Sequence, residues 1–211
     1  VQTNISSFEE IALEIDRLLS KGKDRTILGI VGKPGAGKST ITSKIMEYLG
    51  GKSVALFPMD GYHLSNQVLV DLGRRDRKGA PDTFDASAFT SLLGRIKNET
   101  DKNIYFPIFH RELEESYAAE GVIPAGTKLV LTEGNYLLLD TPEWAGVRPL
   151  LDESWYLAPS DSIRQVRLIS RHENYGKSKD AAREWALGSD EKNAEIVEST
   201  KKYATKIVIL S

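Results

Sequence analysis

Gly32-Lys33-Pro34-Gly35-Ala36-Gly37-Lys38-Ser39 satisfies the spacing G-x-x-x-x-G-K-[ST] at every fixed position. Each residue type has a physical reason to be there. Glycines let successive backbone N–H groups converge into an anion-binding nest with no Cβ in the way. Lys38 has the reach for the β- and γ-phosphates of a nucleotide, and the Ser39 hydroxyl is placed to ligate Mg²⁺. With Thr40, these residues form the candidate nucleotide site. The flanks fit the same reading. Thr26 to Val31 (TILGIV) is a short apolar, β-branched run suited to a buried parallel strand. A helix is expected from Lys38 to Leu49, with Ile41, Ile45 and Leu49 on one face and Gly50 and Gly51 ending it. A helix N-terminus just after the loop favours phosphate through its free N–H groups and its dipole.

Outward from this unit, strands and helices alternate. Ser7 and Glu10 have capping-box spacing, and Phe8, Ile11, Ala12, Ile15, Leu18 and Leu19 recur at helical intervals. Ser53 to Met59 reads as a second strand whose ladder Pro58 confines to its earlier part. Residues 61–81 are polar and irregular, and Asp85 then caps a helix carrying Phe89, Leu92, Leu93 and Ile96. Further strands are expected at Ile104–Phe106, Leu129–Thr132, Trp155–Leu157 and Ile207–Leu210. The alternation implies an α/β fold with a mostly parallel sheet.

Bulk composition narrows the function. The 211 residues, 40% of them hydrophobic, suffice for one globular domain, and no Pro/Gly/Ser-rich linker divides them. Lys and Arg number 28 against 30 Asp and Glu, a net charge of −2, which argues against a nucleic-acid partner. An anionic ligand must therefore be held by a local positive site. The absence of cysteine excludes disulfides, thiol catalysis and Cys-based zinc sites, and fits a cytoplasmic protein. No apolar run approaches the length of a membrane span and no signal-peptide pattern is present, so no membrane association is expected. The chain opens at Val1 rather than Met, consistent with a trimmed terminus.

A phosphate loop alone does not choose a reaction. There is no N-K-x-D guanine-recognition segment and no apolar strand ending in Asp-Glu. Instead Leu129–Thr132 runs into Glu133-Gly134-Asn135-Tyr136. Glu133, at a strand's carboxyl end, is placed to hold a Mg²⁺ water or a substrate hydroxyl, or is a solvated loop carboxylate. Asp60 closes the second strand, where open α/β sheets place their sites. A carboxylate there can accept the proton of an attacking alcohol or hold it in line with the γ-phosphate. Asp60-Gly61 is also an ordinary turn pair, though the strand-end position favours function.

Five segments in order, GKPGAGKST, MDGYHL, RKGAPDTFD, YFPIFHR and LTEGNYLLL, resemble the phosphoribulokinase/uridine kinase/pantothenate kinase family over about residues 26–200. Within it the likeness is closest to short bacterial fructokinase-like or nucleoside/nucleotide kinase-like proteins. The resemblance implies a P-loop nucleoside triphosphate hydrolase-type three-layer sandwich with a central parallel sheet and a helical lid at about residues 161–195. It also implies Mg-ATP as donor and an Asp after the second strand as base, the position of Asp60. By the same carry-over, Arg77 and Lys78 fall in an acceptor-side loop; read alone, Arg74, Arg75, Arg77 and Lys78 are equally a solvated charge run. His63, His110, Arg111 and Asn135 fall in acceptor-side motifs, with His110 standing where the family often has Asp. Either histidine is alternatively a packed or surface residue. Arg164, Arg167 and Arg171 share one helix face. The lid pattern assigns Arg167 and Arg171 to the transferring phosphate, whereas the residues alone also allow an exposed charged stripe. Asn193 matches a position late in the lid.

Together these readings imply transfer of the ATP γ-phosphate to a hydroxyl of a sugar, nucleoside or pantothenate-like metabolite by a monomer or homodimer. The alternative is a nucleotide-binding regulator with little kinase activity.

Overall fold

The computed structural model describes residues 2–51, 53–176 and 178–210; Val1 lies outside them. In chain order the strands are β1 (Thr3–Ile5), β2 (Thr26–Gly32), β3 (Val54–Pro58), β4 (Ile104–His110), β5 (Glu115–Ile123), β6 (Leu129–Gly134), β7 (Glu153–Leu157) and β8 (Lys206–Val208). The helices are α1 (Phe8–Ser20), α2 (Lys38–Tyr48), α3 (Asn66–Asp71), α4 (Ala86–Asn98), α5 (Asp161–Asn174), α6 (Lys179–Leu187) and α7 (Ser189–Glu198).

Six strands form one sheet in the order β1-β8-β7-β2-β6-β3, and every pairing in it is parallel. The central strand β2 is buried along its whole length, as its unbroken apolar run requires. Its side chains alternate between two cores. Ile27 and Val31 join Phe57, Phe89, Leu93, Val130 and Tyr156 on the α4 face. Leu28 and Ile30 join Ile11, Ile15, Ile41, Ile45 and Trp155 on the face of α1 and α2. Helices on both sides of a parallel sheet make the expected three-layer α/β sandwich.

Local chemistry sets the element ends. Asp85 caps α4 by accepting from the Ala88 N–H at 2.8 Å, a cap that contributes about 1 kcal/mol. Ser7 caps α1 as its spacing predicts, but the Glu10 carboxylate reaches the Ser6 N–H at 2.7 Å, one residue short of a capping box. Pro58 sits at the end of the edge strand β3, where its missing N–H costs no ladder bond.

Three expectations change. The strand expected at Ile104–Phe106 is outside the main sheet; it runs on to His110 and pairs antiparallel with β5 as a separate hairpin. The irregular stretch at 61–81 contains α3 and a short 3-10 turn at Arg75–Arg77. β1, only three residues long, joins the sheet edge beside β8.

The hairpin is pressed against the 3-10 turn Met59–Tyr62 that follows β3. A Cβ on Gly61 would lie 2.0 Å from the Pro107 carbonyl oxygen, so only glycine admits this contact. Gly61→Ala is expected to cost about 1–3 kcal/mol, the usual range for overpacking, measured by urea unfolding.

Candidate active site

Three adjacent strands, β2, β6 and β3, deliver residues to the same carboxyl edge of the sheet. After β2 comes the phosphate loop, after β3 the turn bearing Asp60, and at the end of β6 Glu133, Gly134 and Asn135. Strands β7 and β6 flank β2 on opposite sides, which opens a crevice at the point where the strand order diverges. A cavity of about 720 Å³ fills it.

The loop has the conformation that phosphate binding needs. Gly35 and Gly37 have φ of 80° and 91°, the left-handed region. Helices α1, α3, α4, α5 and α6 are each capped by a Ser or Asp side chain, whereas α2 starts on Gly37 with no side-chain cap. Its first-turn residues Lys38, Ser39 and Thr40 line the cavity. An anion there would meet free N–H groups.

The Lys38 ammonium donates to the Gly32 carbonyl at 2.8 Å, the Lys33 carbonyl at 3.3 Å and Asn135 Oδ1 at 2.6 Å. Burial lowers its pKa to about 8, against the opposing pull of Glu133 and Asp60. Glu133 accepts from Ser39 Oγ on one oxygen and from Thr42 Oγ1 on the other, both at 2.8 Å. Burial raises the Glu133 carboxyl, and those two hydroxyl bonds pull against the rise. No cluster of three His, Cys, Asp or Glu suited to a metal occurs among the described residues. The oxygen-only pair of Ser39 and Glu133 suits Mg²⁺, which keeps several waters and takes one or two protein ligands beside nucleotide phosphates.

In the turn after β3, Asp60 Oδ2 accepts from Arg111 Nη2 at 2.6 Å. Burial pushes the Asp60 carboxyl up, but Arg111, His63 and Lys38 outweigh it and hold the group below its ordinary range. His63 Nδ1 lies 2.8 Å from the Asp60 carbonyl oxygen, and its ring is held between Phe84 and Phe109, with centroids 4.0 and 4.5 Å away. Burial lowers the His63 pKa despite the nearby Asp60 charge. Lys78 is buried and lines the cavity, but its ammonium is engaged by Asn66 Oδ1 at 2.8 Å and by the Glu114 carbonyl.

Not every expected residue reaches this space. Arg77 pairs with Asp82 at the surface and does not line the cavity; Arg75, two positions earlier, does. His110 bonds Glu112 at 3.1 Å and Glu120 at 2.7 Å on the hairpin, outside the cavity wall. The Lys33 ammonium is turned away to Asp161 at 2.6 Å and Glu198 at 3.4 Å. The three arginines of α5 part company: Arg167 and Arg171 line the cavity, while Arg164 is wholly buried behind the loop. Asn193 of α7, 5% exposed, also lines it.

Residue-by-residue reading missed Thr42 and Tyr136. Thr42 lies one helical turn beyond Ser39, a spacing that would have pointed to it. The Tyr136 hydroxyl donates to the Gly79 carbonyl at 2.6 Å and ties the acceptor-side loop to the end of β6. No sequence signal announces that bond.

Residues 27–210 match the model of the Phosphoribulokinase / Uridine kinase family. The chain belongs to this family. It is accordingly an ATP-dependent kinase acting on a hydroxyl group. Its relatives include the uncharacterized protein YggC of Escherichia coli, 32% identical across 87% of this chain and 77% of that one. A uridine kinase of Latilactobacillus sakei is 27% identical over 90% of this chain and 88% of its own. Among solved structures, a "putative fructose transport system kinase" from Silicibacter sp. TM1040 superposes with a TM-score of 0.80 at 32% identity, covering 87% of this chain and 89% of the other. In this member of the phosphoribulokinase/uridine kinase family, loop residues 34–40, Asp60, Glu133, Arg167 and Arg171 line one cavity.

Proposed function

We propose that this kinase transfers the γ-phosphate of Mg-ATP to a hydroxyl of a small polyhydroxylated metabolite of the sugar, nucleoside or pantothenate kind. The observation that carries the reading is the convergence of Asp60, Lys38, Ser39 and Glu133 on a single cavity. Residues 32–40 would cradle the phosphates, and Ser39 with Glu133 would hold Mg²⁺, which supplies charge neutralisation at the bridging oxygens. We read the chain as one kinase domain with residues 161–195 as its lid. Closing, that lid would bring Arg167 and Arg171 to the γ-phosphate and exclude water as a competing acceptor.

Asp60, ionised at neutral pH, would orient the acceptor hydroxyl and take its proton. A carboxylate held low by Arg111 is a weak base. That suits a loose phosphoryl-transfer transition state, in which orientation matters more than early proton removal. His63 adds a preference. A carbonyl can only accept, so Nδ1 carries the proton and the neutral ring offers Nε2 as an acceptor. A second hydroxyl on the acceptor would satisfy it. Arg111 and Lys78 line the same cavity.

An ADP-release screen over sugars, nucleosides and vitamin precursors tests the proposal, with Asp60→Asn protein as blank. The named relatives place uridine and fructose first in the panel. At least one hydroxyl class should release ADP well above the blank. ATP binding with no acceptor above the blank would instead favour a nucleotide-binding regulator.

A further inference from the structure

Arg164, Arg167 and Arg171 read as one stripe in the sequence, yet the fold gives the first of them different work. The Arg164 guanidinium is fully buried. It donates through Nη1 to the Pro34 carbonyl at 3.2 Å, through Nε to Asp161 Oδ1 at 3.1 Å and through Nη2 to Glu191 Oε2 at 2.5 Å. One side chain thus joins the crest of the phosphate loop, the first turn of α5 and α7. Asp161 is shared: its Oδ1 also accepts from Lys33 of the loop at 2.6 Å. The backbone closes the same contact. A Cβ on Gly35 would lie 2.6 Å from the Arg164 carbonyl oxygen and 3.3 Å from Leu168 Cβ. The start of α5 therefore cannot slide over the loop without taking the buried Arg164 guanidinium from its acceptors.

Arg167 and Arg171 contrast with it. Neither takes a hydrogen-bond or ion-pair partner among the described residues, and both face the cavity. Arg167 lies three residues, about 4.5 Å along the axis, beyond Arg164. Its Nη1 is 3.4 Å from where a Cβ on Gly37 would sit, beside the bare start of α2.

We propose that Arg164 is a positioning residue for phosphoryl transfer: by clasping the Pro34 carbonyl between α5 and α7, it sets where Arg167 meets the phosphates. The inference rests on the kinase reading above. It assigns Arg164 no contact with substrate. It also places any lid movement beyond the first turn of α5, in the part that carries Arg171.

Arg164→Lys keeps the charge but loses the planar fork that reaches three acceptors. Displacing a catalytic group by about 1 Å costs up to about a hundredfold in rate, so kcat with the best acceptor should fall about ten- to a hundredfold. The KM for ATP should change much less. Arg167→Met and the double variant complete a cycle. If Arg164 acts through Arg167, the double variant is no slower than Arg167→Met alone. Multiplying losses, or full kcat in Arg164→Lys, overturn the proposal. Should Arg164→Lys fold poorly, Glu191→Gln removes one charged partner of the guanidinium and supports the same comparison. Calorimetric titration with ATP and ADP separates this inference from the kinase reading. If no acceptor releases ADP, the transfer reading falls, but both Arg164→Lys and Arg167→Met should still erase the same part of the preference for ATP over ADP. An unchanged preference in either variant overturns the positioning role.

Discussion

Asp60→Asn is expected to lower kcat by about a hundred- to ten-thousand-fold, the usual contribution of a positioned general base. That is about 3–5 kcal/mol of transition-state stabilisation. ATP affinity should change little, because Asp60 belongs to the turn after β3 rather than to the phosphate loop, and its side chain is hydrogen-bonded to Arg111. The substitution keeps the shape of the side chain and removes the charge that Arg111 meets at 2.6 Å. Both partners are about one-third exposed, so solvent screens the lost ion pair and unfolding should shift only slightly. Single-turnover measurements with bound ATP separate these effects. A kcat within a few-fold of the parent would remove Asp60 from the chemistry, as would a matching loss of ATP binding.

Lys38→Met should weaken ATP binding and depress kcat together, by about a hundred- to a thousandfold in kcat, because its ammonium would meet charge that grows in the transition state. The parent protein offers a second test through pH. The unfolded chain holds the Lys38 proton up to about 10.5, whereas the folded free protein releases it at about 8. Between those values the unfolded state binds more protons, so the Lys38 contribution to folding stability rises with pH. Nucleotide binding needs the ammonium, so ATP affinity falls over the same interval. Opposite slopes in thermal unfolding and in ATP titration should both vanish in Lys38→Met. Slopes retained in that variant would assign them to other groups.

The parts legible from sequence were those in which local pattern and tertiary role coincide. The loop at 32–40 dictates its own backbone, and β2 announces burial through an unbroken apolar run. Asp60 and Glu133 were found because parallel strands end at one edge. The parts not legible depend on partners far along the chain. β5 (ESYAAEGVI) is mostly exposed or half-exposed and contains Ala119 at φ 59°, so neither apolar alternation nor extended backbone marks it as a strand. Without β5, the hairpin that carries Arg111 and Phe109 to Asp60 and His63 could not be foreseen. Arg77 and Arg75 are indistinguishable as sequence; a single 3-10 turn decides which of them faces the cavity. Arg164 looked like the other cations of its helix because its three acceptors lie on the loop, on its own first turn and on α7.

The strand order also bears on how the chain assembles. Among the described residues β1 pairs with β8 alone, and Lys206 Nζ donates to Thr3 Oγ1 at 3.2 Å across a separation of 203 residues. On the ribosome, then, β1 waits for β8, its neighbour in the sheet, to emerge. The β3–β6 and β2–β6 pairings close separations of about 75 and about 100 residues, while the β1–β8 border must wait for a closure of about 200. A short edge pairing of this kind is expected to close late and open early, and its amides should exchange with solvent well before those of the buried β2.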